Sequence, residues 1–198
     1  MIKALYVLLI LCLPTYLHAT ANINIPYTDF APYIGFNAGL NILNYTSHTK
    51  QDQDYLSATI NAGARISKNI GTEVFFTHSS SNDVNYIYNY ETLIHELYYL
   101  AYGIDMFAYY NITKGLDFFT SFGIANYKIY NKYEYQNPFM TQDTTDTDTS
   151  ITTRIGVGIL YSIPHDSVSL LLKYKYVPLN TKIINTMSEF SIGIRYNF

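Results

Sequence analysis

Apolar and polar positions alternate along most of this chain with a period of two. Ile34, Phe36, Ala38, Leu40 and Ile42 are apolar, and Gly35, Asn37, Gly39 and Asn41 between them are small or polar. Side chains of an extended strand point alternately to opposite faces, so this spacing gives one apolar face and one polar face. The pattern recurs in Leu56, Ala58, Ile60, Ala62, Ala64 and Ile66 against Tyr55, Ser57, Thr59, Asn61, Gly63 and Arg65. A third strand is predicted over residues 72–80, with Val74 and Phe76 on one face and Glu73, Phe75 and Thr77 on the other. A fourth covers residues 97–110, where Tyr98, Leu100, Tyr102, Ile104, Met106 and Ala108 alternate with Tyr99, Ala101, Gly103, Asp105 and Phe107. The fifth, residues 116–130, sets Phe118, Thr120, Phe122 and Ile124 against Phe119, Ser121, Gly123 and Ala125. The sixth, residues 151–163, sets Ile155, Val157, Ile159 and Tyr161 against Arg154, Gly156 and Gly158. The seventh sets Val168, Leu170, Leu172, Tyr174 and Tyr176 against Ser169, Lys173 and Lys175. The last sets Phe190, Ile192, Ile194, Tyr196 and Phe198 against Glu189, Ser191, Gly193, Arg195 and Asn197.

Eight strands result, and their connections alternate in length. Short turns are predicted at residues 67–71, 111–115 and 164–166, and long loops at 44–54, 79–95, 131–149 and 177–187. After residue 21 no apolar stretch is long enough for a membrane helix, which needs roughly 18 residues or more. A chain that crosses a bilayer without such helices must close into a barrel, so that every backbone polar group is satisfied. The predicted fold is therefore all-β: an eight-stranded antiparallel up-and-down transmembrane β-barrel, apolar outside and polar inside. Short turns on one side and long loops on the other fit outer-membrane barrels, with both chain ends on the short-turn, periplasmic side. A soluble barrel would need the faces reversed. The faces rich in Gly, Ser and Asn are too small and polar to coat one, and they fit a narrow lumen.

Composition agrees with this reading. The 198 residues include 22 Tyr and 11 Phe, and only 14% are charged. A soluble domain carries about a quarter. The net charge of −3 offers no basic stripe for nucleic acid. The N-terminus predicts a cleaved leader over residues 1–21 and a barrel domain over residues 22–198. Lys3 is followed by an apolar run over residues 4–13, the breaker Pro14 and the small-residue site Ala19-Thr20-Ala21. Cleavage is expected after Ala21, with Ala19 as the alternative. Cys12 lies inside the apolar run, so the mature chain is expected to hold no disulfide, thiolate or Cys-ligated metal.

The strand pattern resembles the opacity-protein and OmpA-like eight-stranded outer-membrane barrels over nearly the whole mature chain. Phe190, Ile192, Ile194, Tyr196 and terminal Phe198 are similar to the alternating aromatic signal that such proteins offer to the barrel-assembly machinery. The Gly-centred stretch of residues 116–127 also resembles that family. The resemblance implies a fold and an outer-membrane location. It does not imply an activity, because the family includes adhesins, immune-evasion proteins, anchors and a few enzymes. The chain stops at Phe198 without the peptidoglycan-binding domain of some relatives, so a cell-wall tether is not expected.

Candidate chemistry lies first in the lumen. Arg65, Arg154, Lys173, Lys175 and Arg195 are predicted to point inward together with Glu73, Asp105, Asp117 and Glu189. Arg65 and Glu73 flank the first short turn, so they are predicted to pair, and Arg195 is predicted to pair with a neighbouring acid. An eight-stranded barrel has room for side chains and little else, so the charges are expected to form a plug rather than an ion path. His78, Ser80 and Asn82 at the outer end of the third strand resemble in part the His-x-Ser of outer-membrane lipid A deacylases. The flanking residues depart from that motif, and a polar strand end at headgroup level is the simpler reading. Asp143, Asp146 and Asp148 fall in TQDTTDTDTS, expected to be a solvated acidic loop without the Gly and Glu of an EF-hand. His95-Glu96 lacks the second His of a zinc-binding helix. Tyr45, Tyr55, Tyr130 and Tyr176 are predicted to form an aromatic girdle. No cofactor or metal is implied. The expected partners are outer-membrane lipid, the barrel-assembly machinery and a host or environmental ligand at the external loops. A surface protein of adhesin or antigen type, without catalysis, is the leading expectation. A small pore is the second, and an outer-leaflet lipid enzyme the third.

Overall fold

Alternation of period two becomes strand pairing throughout the computed structural model, which describes residues 30–46, 54–88, 91–137 and 140–198. Among the described residues nine strands are formed: β1 (Ala31–Tyr45), β2 (Asp54–Arg65), β3 (Ile70–Ser79), β4 (Asn82–Tyr88), β5 (Glu91–Thr113), β6 (Leu116–Asn137), β7 (Met140–Ser162), β8 (Val168–Val177) and β9 (Ile184–Asn197). They lie in the order β3-β2-β1-β9-β8-β7-β6-β5-β4, and β3 also pairs with β5. That last pairing closes the ring. β3 and β4 both pair with β5, His78 opposite Leu100 and Asn82 opposite Leu97, so together they make one interrupted stave. The barrel therefore has eight antiparallel staves. The predicted leader, its cleavage site and Cys12 lie outside the described residues.

The faces fall as the alternation requires. Outward residues of β1, β2 and β9, such as Phe36, Ile60 and Ile192, are exposed, while their inward neighbours Asn37, Asn61 and Ser191 are buried. An exposed apolar belt of this extent is costly in water and favourable against hydrocarbon. The turn after β5 is tight, and Gly115 takes a φ of 84° there, which a side chain would strain. Phe198 N–H donates to Pro32 O at 3.0 Å, which ties the two ends of the barrel domain together beside the short turns.

Two predicted loops are corrected. Much of residues 79–95 and 131–149 is strand, because β4, β5, β6 and β7 run on past the belt as one sheet. The β5–β6 ladder continues up to Thr92 opposite Gln136, and the β6–β7 ladder up to Asn137 opposite Met140. Outside lipid a strand needs no apolar stripe, so the alternation that marked the membrane strands fades while backbone pairing continues. The acidic segment TQDTTDTDTS is thus part of β7 and not a loop.

Candidate functional site

The lumen is filled by two apolar clusters with charged struts among them. Phe107, Tyr109, Phe119, Leu160 and Leu171 form one cluster, nearer the short turns. Leu43, Tyr55, Phe75, Leu97, Tyr99, Tyr127, Ile129, Val177, Leu179, Ile184 and Met187 belong to the other, which reaches the opposite mouth. Close packing needs small residues facing the large ones. Gly158 lies where a Cβ would collide with the Phe119 ring, and Gly123 where a Cβ would collide with the Asp105 carboxylate.

All nine predicted interior charges point inward, and eight are at most 3% exposed: Glu73, Asp105, Asp117, Arg154, Lys173, Lys175, Glu189 and Arg195. Arg65 is half-buried at the mouth. Glu73 and Asp105 sit directly opposite each other on β3 and β5. Two carboxylates side by side repel, so each needs cations from elsewhere. These come from other strands of the ring. Arg195 Nη2 on β9 reaches Glu73 Oε2 at 3.2 Å. Arg154 Nη2 on β7 and Lys175 Nζ on β8 both reach Asp105 Oδ2, at 2.9 and 2.5 Å. Tyr33 donates to Glu73 at 3.2 Å, and Arg154 donates to Tyr127 at 3.2 Å. The guanidinium of Arg154 lies 3.7 Å from the centre of the Phe75 ring, and that of Arg195 lies 3.7 Å from the Tyr33 ring. Arg154 and Arg195 therefore each have an acid and an aromatic face around them, which offsets the loss of water.

One predicted pair is corrected. Arg65 bonds Asp117 at 2.7 Å and not Glu73. The β2–β3 register sets Arg65 opposite Gly71 and Glu73 opposite Gly63, so the two are diagonal rather than facing. Asp117 lies within reach only because the ring curves β6 back toward β2. Arg195 does take a neighbouring acid, Glu73. Among the described residues, Lys173 and Glu189 make no ion pair within 4.0 Å.

The outward features separate from the lumen. His78 stacks on Tyr98, centroids 6.1 Å apart, and Tyr98 on Tyr130 at 4.8 Å. Ser80 Oγ accepts from the Leu56 N–H at 3.2 Å. Among the described residues His78 has no carboxylate partner, and the nearby Glu96 is bound to Lys132 at 3.2 Å. A relay of acid, His and Ser is not assembled here. His95, set beside Glu96 in sequence, points the other way: it is buried, bonded to Asn131 and stacked on Tyr133 at 4.5 Å. The girdle is also corrected. Tyr130 and Tyr176 face outward, but Tyr55 is buried in the lumen, with its hydroxyl 3.0 Å from that of Tyr45. Its place on the polar side of the alternation already placed it inside.

The profile of the outer membrane protein beta-barrel domain matches residues 5–198. The chain belongs to this outer-membrane β-barrel family. Members of the family sit in the outer membrane, and so does this chain. Among solved structures it is similar to Neisserial surface protein A, with a TM-score of 0.57, 18% identity, and coverage of 86% of this chain and 98% of that one. It is similar to Ail, the attachment invasion locus protein of Yersinia pestis, solved with the heparin analogue sucrose octasulfate, with a TM-score of 0.55, 12% identity, and coverage of 85% and 97%. It is also similar to OprG from Pseudomonas aeruginosa, with a TM-score of 0.52, 9% identity, and coverage of 85% and 95%. At such identities the likeness is one of fold. No curated protein matches the chain in sequence. Within this family the belt is the lipid-facing surface, the short turns are periplasmic, and the projecting sheet of β4 to β7 is extracellular.

Proposed function

We propose that this barrel is a closed scaffold that presents an extracellular sheet to macromolecular partners, as an adhesin or surface antigen without catalysis. The observation that carries this reading is the cross-lumen set of ion pairs on Glu73 and Asp105, packed between two buried apolar clusters. Struts of that kind leave function to the parts that stand outside the membrane. Ail was solved with a heparin analogue. A sulfated polyanion would meet Asp143, Asp146 and Asp148 on this sheet, so sulfated glycans are not the ligand class it favours. Phe190, Ile192, Ile194 and Tyr196 lie on the lipid-facing stripe of β9, and exposed Phe198 follows directly after it; together they serve as the signal read by the barrel-assembly machinery after the leader is cut following Ala21 or Ala19.

The second reading, a small pore, is separated from the first by conductance. Purified protein in planar bilayers is expected to show no steady steps, and reproducible single-channel steps would put the pore first. Bacteria displaying the full chain are expected to bind host or environmental surfaces more than bacteria whose residues 131–147 are replaced by a short turn. Equal binding would remove the adhesin reading. The lipid A of cells carrying the His78→Ala variant is expected to match that of cells carrying the parent chain. A change in its acyl chains would restore the enzyme reading.

A further inference from the structure

The two sides of β7 are unequally covered. On the β6 side its ladder runs the whole strand, from Met140 opposite Asn137 to Tyr161 opposite Leu116. On the β8 side it runs only from Ile155 opposite Tyr176 to Ser162 opposite Ser169. Among the described residues, 140–154 therefore have no neighbouring strand on that side. The lower part is held by the chain itself. Ser150 Oγ donates to Leu179 O at 2.7 Å, Thr152 Oγ1 donates to Pro178 O at 2.5 Å, and Lys182 N–H donates to Asp148 Oδ2 at 3.0 Å. Above these contacts, residues 141–147 are exposed at every position.

A free edge of this kind carries a row of unpaired N–H and C=O groups spaced for another strand. Natural edges of this length are normally blunted by charged side chains, Lys above all, by Pro or by a bulge. Residues 141–153 contain no Pro and no Lys, and Thr, a good strand former, recurs along them. The charge there is of one sign and appears on both faces. Asp143 shares a face with Glu134, its ladder partner, and Asp146 points to the opposite face beside Asn131. A second copy of this edge would bring its own aspartates against these and be repelled. A strand carrying Lys or Arg would meet an acid whichever face it turned.

We propose that the β7 edge over residues 141–147 takes up an extended cationic polypeptide segment as an added strand. Main-chain hydrogen bonds supply the affinity, and Asp143 and Asp146 select the basic side chains. The proposal rests on the surface-recognition reading and names the partner class for it.

The test uses the full-length protein in nanodiscs and a fluorescent peptide of alternating Lys and Thr. Fluorescence anisotropy is expected to show saturable binding that weakens as salt is raised. An antiparallel strand bonds through every second amide, so N-methylation of one alternate set should weaken binding at least about tenfold, and methylation of the other set should not. A Glu-Thr peptide should not bind, and the Asp143→Asn, Asp146→Asn double variant should weaken Lys-Thr binding several-fold. Absence of binding, or equal binding by both methylated forms, would overturn the proposal, since the second result means charge attraction without strand addition. Crosslinks between the β7 edges of two copies that exclude the peptide would also overturn it. Cell binding that needs residues 131–147 but ignores the double variant would keep the surface reading and sink the edge. Loss of cell binding on neither change, with intact peptide binding, would do the reverse.

Discussion

Asp105→Asn is expected to be among the most damaging conservative substitutions in the barrel. Asn keeps the volume and hydrogen-bonding capacity and removes only the charge. That charge serves two cations at once, Arg154 at 2.9 Å and Lys175 at 2.5 Å, and all three side chains are at most 2% exposed. With an effective dielectric of 20, those separations correspond to about 6 and 7 kcal/mol of attraction. Most of this offsets the cost of taking the three ions out of water. Removing the acid leaves that cost uncovered and sets two cations against each other. The expected loss is about 3–5 kcal/mol, the range for a buried pair broken on one side. Glu96→Gln is the control. It breaks an ion pair with Lys132 whose side chains are 30% and 44% exposed, and should cost under about 1 kcal/mol. Both variants are refolded into lipid vesicles and titrated with urea, with gel mobility of the unheated protein as a second readout. If Asp105→Asn is no more destabilising than Glu96→Gln, the struts do not hold the lumen together and the argument for a charge-bridged plug fails.

Three further outcomes are expected. Ile60→Arg places a charge on the lipid face and should cost about 2–4 kcal/mol, more than Asn61→Arg on the luminal face, by the same titration; the reverse order would contradict the register. A double-mutant cycle between Arg65 and Asp117 should give a coupling of about 0.5 kcal/mol or more, and one between Arg65 and Glu73 a value near zero; the opposite result would restore the pair across the first turn. Deleting Phe198 should lower the amount of folded protein in the outer membrane of cells while leaving refolding into detergent nearly unchanged, and wild-type levels in cells would exclude an assembly signal at the last residue.

The membrane strands were legible residue by residue, since lipid on one side and a narrow lumen on the other impose a period of two that each segment carries alone. Ile34 to Ile42 and Phe190 to Phe198 read outward without reference to any partner. The same alternation told which charges point inward, because facing is a local property of a strand. Their partners were not legible. Arg65 and Glu73 look like a pair when only the hairpin between them is considered, yet Arg65 bonds Asp117 and Glu73 bonds Arg195, 52 and 122 positions away along the chain. Ring closure brings those groups together, and it depends on the register of every strand between them. The extracellular sheet was missed for a related reason. Lipid writes the pattern into β5, β6 and β7 only as high as the belt. Above it the strands are held by backbone hydrogen bonds to one another, and Thr, Asp and Tyr can make those without any alternation of apolar and polar side chains. What the sequence determined by itself was which side of each strand faces lipid. What the tertiary structure decided was which charges meet across the lumen and which strand edge stands open, because both depend on neighbours far away in the chain.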